Sequence, residues 1–247
     1  MKRTATKKIA KPNELFEQFP ALSKKDCKRA TDAVLELQSS WRTLDRKGAL
    51  KNRRCYRLGS SLEDFAVDQK RYVEQALATN PIMKENFSWL YQLVTDLLSE
   101  HLGKPVRLRH DISYPGFHIV MNDSVFGKHS APWHIDPDSI FINWKYPLKV
   151  SDIKTFTIPV CLPPAGATLD IKDLAFSDVF GKPDEKSIIK RAKIAGRFPH
   201  KLGQIFMMNG TRFHRIGLLN PPYDKKAMRI TLQGYLIPQK GHWIIHW

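Results

Sequence analysis

Residues 132–139 read PWHIDPDS and set a histidine and an aspartate two positions apart, with one isoleucine between them. In an extended chain successive side chains alternate faces, so His134 and Asp136 point one way while Trp133 and Ile135 point the other. A neutral imidazole and a carboxylate then converge on one spot. Read alone, that spot is a metal site, an acid/base pair or a solvated turn, and the surrounding chain has to choose among them.

Working outward, the motif sits among short β-like runs separated by glycine, proline and asparagine. They are VRLRHDISY (106–114), GFHIVMN (116–122), SIFINW (139–144), TFTIPVCL (155–162), GQIFMMN (203–209) and MRITLQGYLI (228–237). Before Pro105 the texture is helical. Residues 23–39 carry Ala30, Ala33, Val34 and Leu37 at helical spacing behind a capping Ser23. A second helix is predicted over about 61–78, with Phe65, Tyr72, Val73 and Ala76 on one side. A third, over 82–102, has a wide apolar stripe of Phe87, Leu90, Leu93, Val94, Leu97 and Leu98, closed by Gly103 and Pro105. Helices first and strands afterwards predict a mainly β chain with α, an antiparallel core buttressed on one side by the helices, rather than a doubly wound sheet.

The domain reading follows from the same texture. Residues 1–12 form a polar, basic, unpatterned tail, and 13–247 form a single domain, with a helical support over 13–104 and a β core over 105–247. Within the core, about 170–200 is a long stretch of mixed charge with a short helix near 184–193, read as an insert or lid. Pro163, Pro164 and Gly166 at its base suit joints, and Lys182, Lys186, Lys190, Arg191 and Lys193 would bring positive charge over a site.

Bulk properties narrow the function classes. Of the 247 residues, 42% are hydrophobic and 11% aromatic, ample for a packed core, yet no run is long enough for a transmembrane helix. The start MKRTATKKIAKP lacks the apolar segment of a secretory signal. Three widely spaced cysteines, Cys27, Cys55 and Cys161, fit reduced thiols in a cytoplasmic protein rather than a disulfide frame or zinc knuckle. The net charge of +16 suggests a nucleic-acid partner. Its distribution favours a solvated basic surface, because the dense runs (1–11, Lys24–Lys25, 51–54) join no arginine-glycine repeat or RNA-recognition signature.

A second histidine suited to a strand end is His214, in GQIFMMNGTRFHRIGL. An apolar run leads through Asn209–Gly210 into Phe213–His214–Arg215, as when a strand turns and brings a histidine back towards the sheet interior. Further on, Arg229 and Thr231 share one face of a late strand. The order is therefore His-x-Asp, a distant His, then Arg-x-Thr.

Over about 114–238 that order resembles the Fe(II)- and 2-oxoglutarate-dependent oxygenase superfamily. The resemblance implies a double-stranded β-helix core (jelly roll, cupin-like), with His134, Asp136 and His214 as a facial metal triad. Arg229 would bind the cosubstrate, with Thr231 as its hydroxyl companion, and the sequence ATL after Gly166 matches the strand start often found in such enzymes. It implies ferrous iron, 2-oxoglutarate and O2 as cofactors, and hydroxylation of a small-molecule substrate, a polar metabolite such as a free amino acid, with release of succinate and CO2. Two imidazoles and a carboxylate on one face of a ferrous ion suit non-haem oxygen chemistry. A guanidinium holds a far carboxylate by two parallel charge-assisted hydrogen bonds.

Rival readings keep parts of this pattern. The same fold acting on nucleic acid or protein would use the positive charge for capture. A non-enzymatic cupin-like module would keep the metal for structure. A zinc hydrolase would need neither Arg229 nor Thr231, and no further glutamate stands at a motif spacing to act as its base. His118 and Tyr114 lie on or beside one strand and would offer polar groups to a cosubstrate, or simply a polar strand face. Phe141, Trp144 and Tyr146 would wall a pocket or pack a core. His110, His129, His200, His242 and His246 lack paired spacing and read as surface or core histidines.

Overall fold

From the N-terminus the chain runs through strand β1 (Glu17–Pro20) into helix α1 (Lys24–Glu36), then through short strands β2 (Arg42–Thr43) and β3 (Cys55–Leu58) to the long helix α2 (Gln69–Leu102). There follow β4 (Val106–Leu108), β5 (Gly116–Met121), β6 (Lys154–Cys161), β7 (Thr168–Ala175) and the short helix α3 (Glu185–Arg191). Strands β8 (Ile194–Pro199), β9 (Gln204–Asn209), β10 (Arg212–Ile216), β11 (Met228–Gln239) and β12 (His242–His246) complete it. This computed structural model describes residues 15–43, 55–62, 68–121, 131–142, 144, 146–164, 167–217 and 227–247. The basic tail, Phe65 and the Gly166 joint lie outside the described residues.

Helix α1 starts where Ser23 predicts. The Ser23 hydroxyl accepts from the Asp26 N–H at 3.1 Å, and the Asp26 carboxylate accepts from the Ser23 N–H at 3.2 Å, a reciprocal cap. Helix α2 departs from expectation: in place of two helices there is one, running through Pro81. Proline removes one backbone hydrogen bond and crowds the preceding turn. Here tertiary contacts hold the helix across it. Asn80 is buried, donating to the Ile112 carbonyl at 2.8 Å and accepting from the Tyr114 N–H at 3.0 Å, while Ala76 and Met83 are buried on either side. Gly103, in the left-handed conformation at φ 63°, ends the helix as predicted.

Among the described residues, the larger sheet has strand order β1-β9-β6-β11-β5-β3-β2, with β12 alongside the C-terminal half of β11 and β4 beyond it. All its pairings are antiparallel except β12 with β4. A smaller antiparallel sheet has order β10-β7-β8. The chain is thus mainly β with α, and helices α1 and α2 pack on one face of the larger sheet. Ala30 and Val34 of α1 and Phe87, Leu90, Val94 and Leu98 of α2 are buried with Phe117, Ile119, Ile158, Ile230 and Leu232 of the sheet. Each of the larger side chains among them contributes about 1.5–3 kcal/mol of burial.

Because that face is given to the core, strand alternation sends Arg229, Thr231 and Gln233 of β11, His118 of β5, and Thr155 and Thr157 of β6 to the opposite face. The smaller sheet lies on that side. Leu169 and Ile171 of β7 share a cluster with Phe206 and Met208 of β9, joining the two sheets and leaving a cleft between them.

Two further expectations change. SIFINW is not a strand: Asp138–Phe141 forms a 3-10 turn, because Ser139 is drawn inward. The Ser139 hydroxyl lies 3.0 Å from His246 Nε2, and its carbonyl accepts from Trp144 Nε1 at 2.8 Å. The stretch 170–200 is not a connection with one short helix: most of β7, then α3 and β8, lie within it. Among the described residues no helix is long and apolar enough to cross a membrane.

Candidate metal centre

The backbone around PWHIDPDS makes a single bridge instead of a strand. The His134 N–H donates to the His214 carbonyl at 3.0 Å, and the His214 N–H donates to the His134 carbonyl at 2.9 Å. The Asp136 N–H donates to the Gly210 carbonyl at 2.8 Å. A Cβ at Gly210 would lie 2.7 Å from the Asp136 carbonyl oxygen, so glycine lets the two segments meet. His134 and Asp136 still point to one side, because extended residues alternate whether or not a ladder is complete.

These contacts bring the three predicted ligands together. One ligand atom from each of His134, Asp136 and His214 lies within 4.8 Å of the others. His214 Nε2 is 3.2 Å from Asp136 Oδ2, and His134 Nε2 is 3.8 Å from Asp136 Oδ1. The imidazole centroids are 4.4 Å apart. In each histidine Nδ1 lies beside the backbone carbonyl two residues back, Pro132 at 3.0 Å for His134 and Arg212 at 2.9 Å for His214. As donors to those carbonyls both rings present Nε2 to the common centre, the tautomer that a metal ligand requires. Two imidazoles and a carboxylate fit a ferrous or other divalent transition ion.

The triad opens on a cleft of about 1150 Å3, part of it open to solvent. Phe206, Met208, Leu169 and Ile216 supply apolar wall; His118, Thr155, Thr157, Gln233 and Arg229 supply polar groups. Arg229 is only 4% exposed, and its Nε and Nη1 have no hydrogen-bond partner among the described residues. Burial pushes its pKa down to about 10. A buried guanidinium with nitrogens left to be satisfied is chemically suited to pairing with an anion. Thr231, fully buried two residues on, accepts from Gln233 Nε2 at 3.2 Å, so it supports the polar face without lining the cleft.

Tyr114 does not join the group. Its hydroxyl bonds His110 Nδ1, its ring packs edge-on against Tyr91, and it is absent from the cleft lining. The expected aromatic wall is also placed elsewhere. Trp144 packs in a core cluster against His246, Tyr146 donates to the Pro238 carbonyl at 3.0 Å, and neither lines the cleft. The side chain of Phe141 lies outside the description. Of the cations expected above the site, none of Lys182, Lys186, Lys190, Arg191 or Lys193 lines the cleft, and Arg191 pairs with Asp184 at 3.0 Å.

Sequence reasoning missed three features. His200 lines the cleft and is buried. Asp170 accepts from Arg215 Nε and Nη2, both at 3.2 Å, across the β7–β10 pair beside His214. Trp133 lies under both Arg215 and Lys172, at 4.3 and 4.6 Å from its ring centre, which steadies the segment carrying His134. None has a spacing signal; each pair is made by strand order alone.

No protein-family model and no curated protein matches the sequence. Solved structures do match in fold. The chain is similar to an N-substituted L-amino acid dioxygenase from Burkholderia ambifaria AMMD, at 13% identity over 93% of this chain and 85% of that one, with a TM-score of 0.55. The same dioxygenase in complex with alpha-ketoglutarate gives 14% identity, the same 93% and 85% coverage, and a TM-score of 0.56. A non-heme alpha-ketoglutarate-dependent carbocyclase, SnoK from nogalamycin biosynthesis, gives 11% identity over 93% and 84%, with a TM-score of 0.52. At these identities the likeness is one of fold.

Proposed function

We propose that the protein is an Fe(II)- and 2-oxoglutarate-dependent oxygenase that hydroxylates a small polar metabolite, such as an amino acid, on a double-stranded β-helix core. The observation that carries this is the pairing, in one cleft, of a two-histidine, one-carboxylate cluster with a buried guanidinium whose Nε and Nη1 have no hydrogen-bond partner among the described residues. The fold of the amino acid dioxygenase and the carbocyclase supports it. Residues 13–247 act as a single oxygenase domain, and the three free cysteines fit a cytoplasmic setting.

When bound, ferrous iron with 2-oxoglutarate and O2 would supply oxidising power for an unactivated C–H bond, with succinate and CO2 as co-products. His134, Asp136 and His214 would hold the ion, Asp136 lowering its net charge and the two imidazoles supplying neutral nitrogen donors. Their Nδ1–carbonyl contacts keep both rings oriented before the metal arrives. Arg229 would grip the far carboxylate of the keto acid in a bidentate ion pair, giving partners to nitrogens that have none among the described residues. Phe206, Met208, Leu169 and Ile216 keep bulk water from the reacting face. Substrate enters at the solvent-open side of the cleft.

The test is anaerobic addition of Fe(II) and 2-oxoglutarate, then exposure to oxygen with a panel of amino acids and N-substituted amino acids, reading succinate. Substrate-dependent succinate is the expected result. Failure of the protein to bind either Fe(II) or 2-oxoglutarate would overturn the reading.

A further inference from the structure

Arg229 is not alone among the cleft residues in holding buried nitrogens without a hydrogen-bond partner among the described residues. His200 is 6% exposed, and neither Nδ1 nor Nε2 has a hydrogen-bond partner among the described residues. It follows the last residue of β8, where its backbone N–H donates to the Ala167 carbonyl at 2.8 Å, and its ring leans on Phe206 with centroids 4.9 Å apart. It is close enough to Arg229 for that charge to disfavour its protonation, after burial itself. One residue thus comes from the smaller sheet and the other from the larger, and both line the same cleft.

An imidazole with both nitrogens unpaired costs free energy in an apolar place unless a ligand completes it. Held neutral, it offers one N–H and adds no second positive charge. The pair therefore carries a single charge with donors on two sides, which matches one carboxylate, whose two oxygens have about four lone-pair directions. The level is also suitable. His214 stands opposite Ile171 on β7, while His200 bonds Ala167, four residues earlier on that side of the fold. The interval is about 13 Å of strand. A chelated five-carbon diacid together with the reach of the side chains spans it.

We propose that His200 and Arg229 together form the receptor for the distal carboxylate of the keto acid, with His200 donating a ring N–H to the oxygen that Arg229 leaves open. This rests on the reading of the cleft as a 2-oxoglutarate site. It makes His200 a cosubstrate-binding residue that selects five-carbon keto diacids over keto acids with no second carboxylate.

The experiment is anaerobic calorimetry on the Fe(II)-loaded chain with 2-oxoglutarate and with 2-oxobutyrate, which keeps the chelating end and lacks the distal carboxylate. In His200→Phe, 2-oxoglutarate should bind about tenfold or more weakly, while 2-oxobutyrate binds as it does to the unaltered protein. An equal loss for both acids, or no loss for either, overturns the role of His200. If the unaltered protein binds neither acid, the oxygenase reading itself falls, and the proposal with it. A second measurement avoids the variant's folding. In the unaltered protein loaded with Zn(II) and labelled with 15N-histidine, 2-oxoglutarate should shift the His200 ring signals and 2-oxobutyrate should leave them in place. Ring signals indifferent to 2-oxoglutarate would overturn the proposal independently.

Discussion

His134 and His214 exchange backbone hydrogen bonds at 3.0 and 2.9 Å, so the two imidazoles are set 4.4 Å apart by main chain, not by packing of the rings. The distance between ligands is thereby fixed by a two-bond bridge that joins the irregular segment of PWHIDPDS to β10. Side-chain replacement at either position leaves that bridge intact. What it removes is a ligand.

Alanine at His134 or at His214 should therefore abolish stoichiometric Fe(II) binding while the fold survives. The two variants should differ in stability. The His214 side chain is 7% exposed and that of His134 38% exposed, so His214→Ala should cost about 2 kcal/mol in the metal-free chain and His134→Ala less than about 0.5 kcal/mol. Metal titration and urea unfolding measure the two quantities. Full iron affinity in His214→Ala would remove the triad.

Arg229 gives the opposite balance between stability and binding. Its guanidinium is buried with Nε and Nη1 lacking hydrogen-bond partners among the described residues, a state that an apolar side chain of similar length avoids. Arg229→Met should raise the unfolding free energy of the ligand-free protein by at least about 1 kcal/mol. The same change should weaken 2-oxoglutarate binding by a factor on the order of 10² and leave iron affinity unaltered. An unchanged keto-acid constant would mean that another cation holds the carboxylate.

Acid should destabilise the chain through two buried histidines. Burial pushes His246 from 6.5 down to about 3, and burial together with Arg229 pushes His200 well below 6.5. Unfolded, each takes up a proton near pH 6.5, which the folded chain refuses. Their contribution is complete above that pH and is lost as pH falls, for His246 over the range down to about 3. Each contributes a slope of about 1.4 kcal/mol per pH unit within its window. Urea unfolding between about pH 7 and about pH 5 should show this slope, and His246→Gln should reduce it by one proton's worth. A slope indifferent to that substitution would place the acid sensitivity elsewhere.

The triad was legible in the sequence because it needs only alternation and order, and alternation persists in a segment with a single bridge. Arg229 was legible because β11 is long and pairs with β5 in continuous register from Met228 to Gln233, which fixes its face despite a register shift against β6 at Ile230–Thr231. Tyr114 was misread because alternation was carried back from β5 across Pro115, outside the strand, where Tyr91 and His110 claim the side chain. Trp144 was drawn inward by Ser139 and His246, residues that meet across a long stretch of chain. His200 could not be read at all. Its place in the cleft follows from β8 joining the smaller sheet and β9 the larger, and no local pattern encodes that crossing.

Gly116 tests how closely the cleft floor is fitted. It begins β5, the strand that carries His118, and a Cβ there would lie 2.1 Å from Trp247 Cε3 and 2.7 Å from the Leu58 carbonyl oxygen. Trp247 is 2% exposed, lines the cleft, and packs edge-on against His118 at 5.1 Å. The methyl of Gly116→Ala thus meets a rigid ring on one side and paired backbone of β3 on the other, and both must move. The cost should be about 1–3 kcal/mol, with weaker binding of any ligand that touches the Trp247 wall. Replacing Trp247 by Leu in the same chain removes the nearer clash but not the carbonyl, so the double variant should be more stable than the sum of the two single changes predicts. Additive costs in that double-mutant cycle, read by urea unfolding, would show that Gly116 and Trp247 do not meet as described.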